Sequence, residues 1–84
     1  MNQVLQSLTE GIIVRTLEAA GYAFVHADGD VTDIFLHRTR LRGLWPPPPG
    51  ARVRFQLEKT TRGLRAVRAE IVPRKDLGGY PRNS

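Results

Sequence analysis

The chain has 84 residues and no cysteine, which leaves room for one small domain and excludes disulfides, thiolate metal sites and thiol redox chemistry. It shows neither a long apolar run nor a secretory leader, and its hydrophobic content of 40% is ordinary for a folded globule, so we expect a folded, cytoplasmic protein without a membrane segment. Residues 1–37 hold one base and five acids (1 − 5 = −4), whereas residues 38–84 hold twelve bases and three acids (12 − 3 = +9). The basic second part of the chain is equally consistent with a nucleic-acid partner and with a solvated basic surface that binds nothing.

The first predicted element is a strand over residues 11–17, which contain a run of β-branched side chains. A helix is the alternative, because Ile13, Leu17 and Ala20 also fall at helical spacing. Residues 1–8 are predicted to form an N-terminal extension with a helical turn.

Two further strands are predicted over residues 21–25 and 33–37, with an acidic turn between them. Side chains alternate between the two faces of a strand, so each of these strands has one aliphatic face and one ring-bearing face. We expect the aliphatic face in the core, which leaves the rings for binding, for burial beneath a terminal segment or for a subunit interface. The aliphatic set is Ala23, Val25, Ile34 and Leu36, and the ring set is Tyr22, Phe24, Phe35 and His37.

A proline run interrupts the chain after these strands. Residues Pro46 to Pro49 follow Trp45 directly, and consecutive prolines exclude a helix or a central strand. We therefore predict an extended, polyproline-like connector between the third and fourth strands.

The clearest alternation in the sequence covers residues 52–58 and predicts a strand with Val53, Phe55 and Leu57 inside the fold. Glu58 falls on the outer face of that strand. A hairpin at Gly63 then leads into the last predicted strand.

That last strand covers residues 64–72, and its apolar residues change phase after Ala66, which predicts a β-bulge. Beyond the bulge, Val67, Ala69 and Ile71 are expected to share one face.

Five short strands with one long connector favour a small closed antiparallel barrel, because closure removes sheet edges that so small a sheet cannot otherwise protect. An open sheet covered by one helix is the alternative architecture. The domain is placed at residues 9–72, and residues 73–84 are predicted to be a flexible basic tail.

The predicted strands resemble a known family, the cold-shock domain, a five-stranded OB-fold. Its two ribonucleoprotein motifs, Lys-Gly-Phe-Gly-Phe-Ile and Val-Phe-Val-His-Phe, align with Ala20 to Val25 and with Ile34 to Arg38. The match extends over residues 9–72 and includes Gly50-Ala51-Arg52-Val53-Arg54-Phe55 after the connector. The resemblance implies an all-β, five-stranded antiparallel OB-fold barrel of the cold-shock type.

The resemblance also implies a function, namely binding of single-stranded RNA or DNA with low sequence specificity. Bases stack on exposed rings, and each stack contributes roughly 1–3 kcal/mol whatever the base. Basic side chains around the rings then attract phosphates. The predicted nucleic-acid-binding residues are Arg15, Tyr22, Phe24, Phe35, His37, Arg38 and Trp45.

The chain departs from the family pattern at several stacking positions. In an ungapped alignment Arg15-Thr16 stands for a Trp-Phe pair, Ala20 for the motif lysine, Ala23 for the middle glycine and Arg38 for an aromatic residue. Guanidinium planes also stack on bases, so the two arginines are expected to compensate in part. Trp45 is expected either to swing over the rings or to pack on the prolines or the barrel end.

The sequence predicts neither an enzyme nor a metal site. It contains no recognisable catalytic dyad, triad or phosphate loop, and the acidic residues near His26 are explained as turn residues. No cofactor is expected. The protein is expected to act as an RNA chaperone or expression regulator, as a monomer, with a dimer left open. Two alternatives remain: a divergent OB module whose rings bind a protein such as a polymerase, nuclease or ribosomal component, and a relative of the OB domains of larger ribonucleases.

Overall fold

A computed structural model describes the backbone of residues 3–73 and the side chains from residue 7 onward. This part of the chain is almost entirely β-structure. Its elements are β1 (Gln3–Leu17), β2 (Tyr22–Ala27), β3 (Ile34–His37), a 3₁₀ turn (Arg38–Arg40), β4 (Leu41–Arg42), β5 (Arg52–Thr60) and β6 (Gly63–Ile71). None of these elements is a helix long and apolar enough to cross a membrane.

The five longer strands close into a barrel. The antiparallel pairings run β3–β2–β1–β5–β6, and β3 then pairs with β6. This closing pair is parallel and joins Phe35 to Arg65. The short strand β4 adds to β6, also in parallel. The predicted closed barrel is therefore confirmed, and the alternative of an open sheet is wrong. The barrel was predicted to be antiparallel throughout, whereas the pair of strands that closes it is parallel.

Aliphatic side chains and one aromatic residue, Phe55, fill the barrel. The alternation predicted for β2, β3 and the first part of β5 is confirmed, because every second residue of these strands is buried. The core cluster consists of Ile13, Ala23, Val25, Ile34, Leu36, Leu41, Val53, Phe55, Ala66 and Ala69.

The strand prediction for residues 11–17 is confirmed, but β1 begins much earlier, at Gln3. Its first part pairs with β5, where Val4 lies opposite Glu58 and Leu8 opposite Gln56. The helical turn expected within residues 1–8 is therefore wrong from Gln3 onward. Apolar residues four apart suggested a helix, whereas pairing with a distant strand determined the conformation. The predicted tail lies outside the described residues beyond Pro73.

A bulge in the last strand is confirmed, but it lies after Val67 rather than between Ala66 and Val67. Arg54 pairs with Glu70 and Gln56 pairs with Val67, so β6 carries one extra residue. That residue is Arg68, whose φ is 52°. Val67 and Ala69, which were predicted to share a face with Ile71, are buried, whereas Ile71 is 36% exposed at the strand end.

Glu58 was predicted to face solvent, and this is wrong: it is 8% exposed. Its Oε1 accepts a hydrogen bond of 2.6 Å from Nε of Arg65, on the neighbouring strand. An ion pair between the same side chains explains how a carboxylate is accommodated beneath the surface. Alternation along β5 alone does not reveal that partner.

Gly11 marks the point where β1 is flanked by both of its neighbours. It pairs with Ala27 on β2 and with Val53 on β5. A Cβ atom at this position would collide with the backbone carbonyl of His26 and lie 2.9 Å from Cα of Ala27. The two strands approach here more closely than any other residue permits.

We therefore expect Gly11→Ala to lower the free energy of unfolding by roughly 1–3 kcal/mol, because backbone atoms must shift to admit the methyl group. Urea unfolding followed by circular dichroism measures this loss. The control is Val14→Thr, which keeps a β-branched residue at an exposed site on the same strand, and it should change stability by no more than about 0.5 kcal/mol. Equal stabilities of the Gly11→Ala variant and the parent protein would contradict the close approach.

Candidate nucleic-acid interface

Four rings lie together on the outer face of β2 and β3. Their positions follow from the strand register, in which Tyr22 is opposite His37 and Phe24 is opposite Phe35. Their neighbours along each strand point into the barrel, so all four side chains face outward. We call Tyr22, Phe24, Phe35 and His37 the ring surface.

The ring surface is one contiguous patch whose rings contact each other edge to face or at a tilt. The centroids of Tyr22 and Phe35 are 5.1 Å apart, and those of Tyr22 and Phe24 are 5.7 Å apart. Phe35 lies 6.3 Å from both Phe24 and His37. All four residues are partly exposed. The rings therefore hold each other in place while part of each remains accessible.

His37 also caps the N-terminal end of the 3₁₀ turn. Its Nδ1 accepts a hydrogen bond of 3.2 Å from the backbone N–H of Thr39 and lies 2.8 Å from the Thr39 hydroxyl. An Nδ1 that accepts these bonds leaves the proton of the neutral ring on Nε2. The turn thus fixes the orientation of the imidazole beside Phe35.

Arg15 reaches the ring surface because of a bulge in β1. Ile13 pairs with Val25 and Arg15 pairs with Phe24, so Val14 is an extra residue in β1. A shift of one residue exchanges the two faces of a strand, which places the arginine rather than Val14 beside the rings. Its Cζ lies 5.0 Å from the ring centroid of Phe24, a cation–π contact.

Arg15 was predicted to be a binding residue, but the bulge that places it beside Phe24 was not predicted. Three consecutive apolar residues, Ile12 to Val14, break strict alternation and are the signal for it. Ile13 is buried, whereas Ile12 and Val14 are 38% and 44% exposed.

Arg38 lies at the opposite end of the patch, next to the paired Tyr22 and His37. Its backbone N–H donates to the carbonyl of Gly21 at 2.9 Å. Gly21 has a φ of 81°, and a Cβ there would lie 3.3 Å from Cδ of Arg38. The glycine thus makes room for the arginine stem, which lies against Gly21 at the end of β2, and the Arg38 side chain is exposed.

Trp45 lies against the core, which agrees with the packing alternative. It is partly buried and packs against the core cluster, and its Nε1 donates to the carbonyl of Glu18 at 3.3 Å. The structure therefore brings five of the seven predicted binding residues into contact, namely Arg15 and the four rings. Arg38 follows His37 and packs against Gly21, and Trp45 is held by contacts of its own.

The acidic residues near His26 form turn and ion-pair contacts. Asp30 accepts hydrogen bonds of 3.0 Å from the backbone and hydroxyl of Thr32, and the backbone bond is the main cause that lowers the pKa of Asp30. Asp33 lies 2.8 Å from Nε2 of His26. Over residues 3–73 the structure contains no group of three or more His, Asp or Glu side chains arranged to hold a metal ion.

Several arginines outside the ring surface are neutralised by carboxylates. Arg52 lies 2.8 Å from Asp28 and 3.2 Å from Glu10, and the Asp28 contact is the main cause that raises the pKa of Arg52. Arg54 lies 3.5 Å from both Glu10 and Glu70. The positive charge of this part of β5 is therefore largely compensated within the fold.

A comparison with solved structures shows where this fold is known. A structure of cold-shock domains, named "drosophila Unr CSD456", matches with a TM-score of 0.68 and 20% sequence identity, over 83% of this chain and 29% of that chain. The chain thus spans less than a third of that protein. No family model and no curated protein matches the sequence. The chain has the OB-fold of a cold-shock domain, as the motifs around the rings led us to expect.

The contact between Arg15 and Phe24 is expected to stabilise the fold slightly. Exposed cation–π contacts contribute about 0.5–1 kcal/mol, so Arg15→Ala should lower the free energy of unfolding by that amount. A double-mutant cycle with Phe24→Leu, followed by urea unfolding, isolates the pair. Strictly additive effects of the two substitutions would show that the guanidinium and the ring do not interact.

Proposed function

We propose that this cold-shock-type barrel binds single-stranded RNA or DNA with low sequence specificity, using the ring surface as a stacking platform. The observation that carries the proposal is the contiguous, partly exposed patch of four rings on two adjacent strands, with Arg15 over one of them. Aliphatic side chains and Phe55 already fill the barrel, so the described fold does not need these four rings for its interior.

Stacking supplies enough free energy for a useful affinity. Three or four bases stacked on these rings contribute about 3–10 kcal/mol in total. Micromolar binding requires about 8 kcal/mol. The platform therefore supports binding in the micromolar range when phosphate contacts assist it.

Two arginines supply part of that assistance. The guanidinium of Arg15 already lies over Phe24, and a base can stack on its outer face or displace it from the ring. This planar cation thus replaces part of the stacking area that the family's aromatic residues provide. Arg38, which follows His37, is exposed and makes no ion pair among the described residues, so its charge is available to a phosphate.

Single strands are the ligand that such a surface fits. In a duplex the base faces are stacked on each other and hidden, whereas in loops and single strands they are free to meet a ring. Low sequence preference follows, because every base has a π-face. By trapping unpaired bases the protein would destabilise weak RNA structure, and we propose a role as an RNA chaperone or expression regulator acting as a monomer in the cytoplasm.

Trp45 is not part of the proposed stacking platform. It joins the platform only by giving up its contact with the core and its hydrogen bond to Glu18. We therefore assign the stacking to the other four rings.

A protein partner at the ring surface is the second candidate function. It is favoured by Arg15, because a guanidinium seated on Phe24 occupies ring area that a base would otherwise use. An apolar docking contact depends little on salt. By contrast, about four phosphate contacts with a single strand make the logarithm of the binding constant fall with the logarithm of the salt concentration, with a slope near −3.

The stacking platform is tested with Tyr22→Leu, Phe24→Leu and Phe35→Leu, singly and combined. Leucine keeps apolar volume on the strand but removes the π-face. We expect each substitution to weaken binding of fluorescein-labelled oligo-dT and oligo-U by roughly fivefold to a hundredfold. Fluorescence anisotropy at two ionic strengths measures the affinity and the salt slope together.

The matched control is Leu44→Ala, which removes an apolar side chain that is 90% exposed outside the ring surface. It should leave affinity unchanged. Circular dichroism confirms that each variant is folded. If the folded triple variant binds as tightly as the parent protein, the stacking proposal is wrong, and salt-independent capture of a protein would instead support the second candidate.

A further inference from the structure

A second basic feature lies at the far end of the 3₁₀ turn, where the chain packs on β6. It is a cleft of about 450 Å³ whose lining includes three arginines and one acid. The arginines come from three different elements: Arg40 from the 3₁₀ turn, Arg42 from β4 and Arg68 from the bulge in β6. The parallel pairing of β4 with β6 holds these elements together.

These three arginines differ from the ion-paired arginines of β5 and β6. Arg52, Arg54 and Arg65 each form an ion pair with a carboxylate. Within residues 3–73, the side chains of the three cleft arginines form no hydrogen bond or ion pair, and all three are exposed. The acid in the cleft, Glu70, lies 3.5 Å from Arg54. The cleft therefore keeps a positive excess and has unoccupied guanidinium donors.

The backbone at Arg68 is a second, independent sign of function. Its φ of 52° is the only positive value at a non-glycine residue of the described chain. A long side chain there costs free energy that a glycine would avoid. Bulges of this kind redirect a side chain toward a site. Here the side chain that the bulge presents is one more arginine beside an already basic cleft.

The cleft and the ring surface both adjoin strand β6. Phe35 of the ring surface pairs with Arg65, and Leu41 of the cleft pairs with Ala69. Because the bulge adds one residue to β6 between these positions, they are about three residue steps apart, or about 10 Å. This corresponds to about three phosphates at the 3.4 Å rise of a helical strand. The 3₁₀ turn, which His37 caps, connects the two features along the chain.

We infer that the cleft formed by Arg40, Arg42 and Arg68 binds the phosphates of the single strand where it leaves the ring surface, and so directs the strand toward β4. The inference rests on the proposed function, since it concerns the same ligand. The rings bind bases at one end, and the cleft holds the sugar-phosphate backbone several nucleotides further along. Full affinity therefore requires a strand longer than the ring surface alone accommodates.

The test combines a cleft variant with ligands of two lengths. The variant carries Arg42→Ala and Arg68→Gly, and glycine suits the positive φ, so we expect the fold to be as stable as the parent or more stable. Labelled oligo-dT of four and of twelve nucleotides are the probes. For the twelve-mer we expect at least a tenfold loss of affinity at low salt. We also expect the slope of log binding constant against log salt concentration to become less steep by roughly 1.4, because two phosphate contacts are lost.

For the four-mer we expect no loss beyond that of a control variant, Arg62→Ala. This control removes one exposed arginine whose side chain is also unpaired in the described chain, at the β5–β6 hairpin and outside the cleft. A conservative variant, Arg68→Lys, should keep most of the affinity for the twelve-mer, because it retains the charge.

The outcomes separate this inference from the function on which it rests. If the ring substitutions abolish binding of both oligonucleotides but the cleft variant binds the twelve-mer as Arg62→Ala does, the cleft inference alone is wrong. A cleft variant that weakens both lengths equally points to general electrostatic attraction and also overturns it. If the parent protein binds neither oligonucleotide, the proposed function and this inference both fail.

Discussion

The side-chain alternation of β2 and β3 is the constraint on which the rest of the structure depends. The barrel has a small interior, and alternate residues of these strands fill it with Ala23, Val25, Ile34 and Leu36, none of which is more than 2% exposed. Because successive side chains point to opposite faces, filling the interior in this way forces the intervening rings outward. The ring surface thus follows from the packing of the core, and a shift of either strand by one residue would bury the rings and expose the aliphatic side chains.

Because of the ion pairs, the net positive charge is not spread evenly over the surface. The formal charge of +5 suggests a uniformly basic surface, but the arginines of β5 are compensated by Glu10, Asp28 and Glu70. Uncompensated charge on the described chain lies instead at Arg15, around the 3₁₀ turn and the β6 bulge, and at Lys59 and Arg62 beside the β5–β6 hairpin. Local pairing, rather than total charge, therefore determines where a polyanion is attracted.

How much of the fold and of the site the sequence predicts depends on how far apart in sequence the interacting residues lie. The rings of β2 and β3 and the core residues Val53 and Phe55 were predictable, because strand alternation is a local pattern with period two. The N-terminal part of β1 and the buried Glu58 were not, because each depends on a partner strand that is distant in sequence. A carboxylate on an outward position of β5 becomes buried only when Arg65 is brought beside it by the hairpin. Similarly, nothing near Trp45 in sequence indicates that the carbonyl of Glu18 will accept its N–H.

Two bulges explain how this barrel presents arginines where regular strands would not. The extra Val14 in β1 places Arg15 beside Phe24, and the extra residue in β6 is itself Arg68. In each case one inserted residue changes the face on which the following side chains lie, while the core on either side keeps its alternation. The first bulge supplies a planar cation where the cold-shock pattern has an aromatic pair. The proposed stacking therefore does not require the aromatic pair of the cold-shock pattern at this position, because the altered register provides a guanidinium in its place.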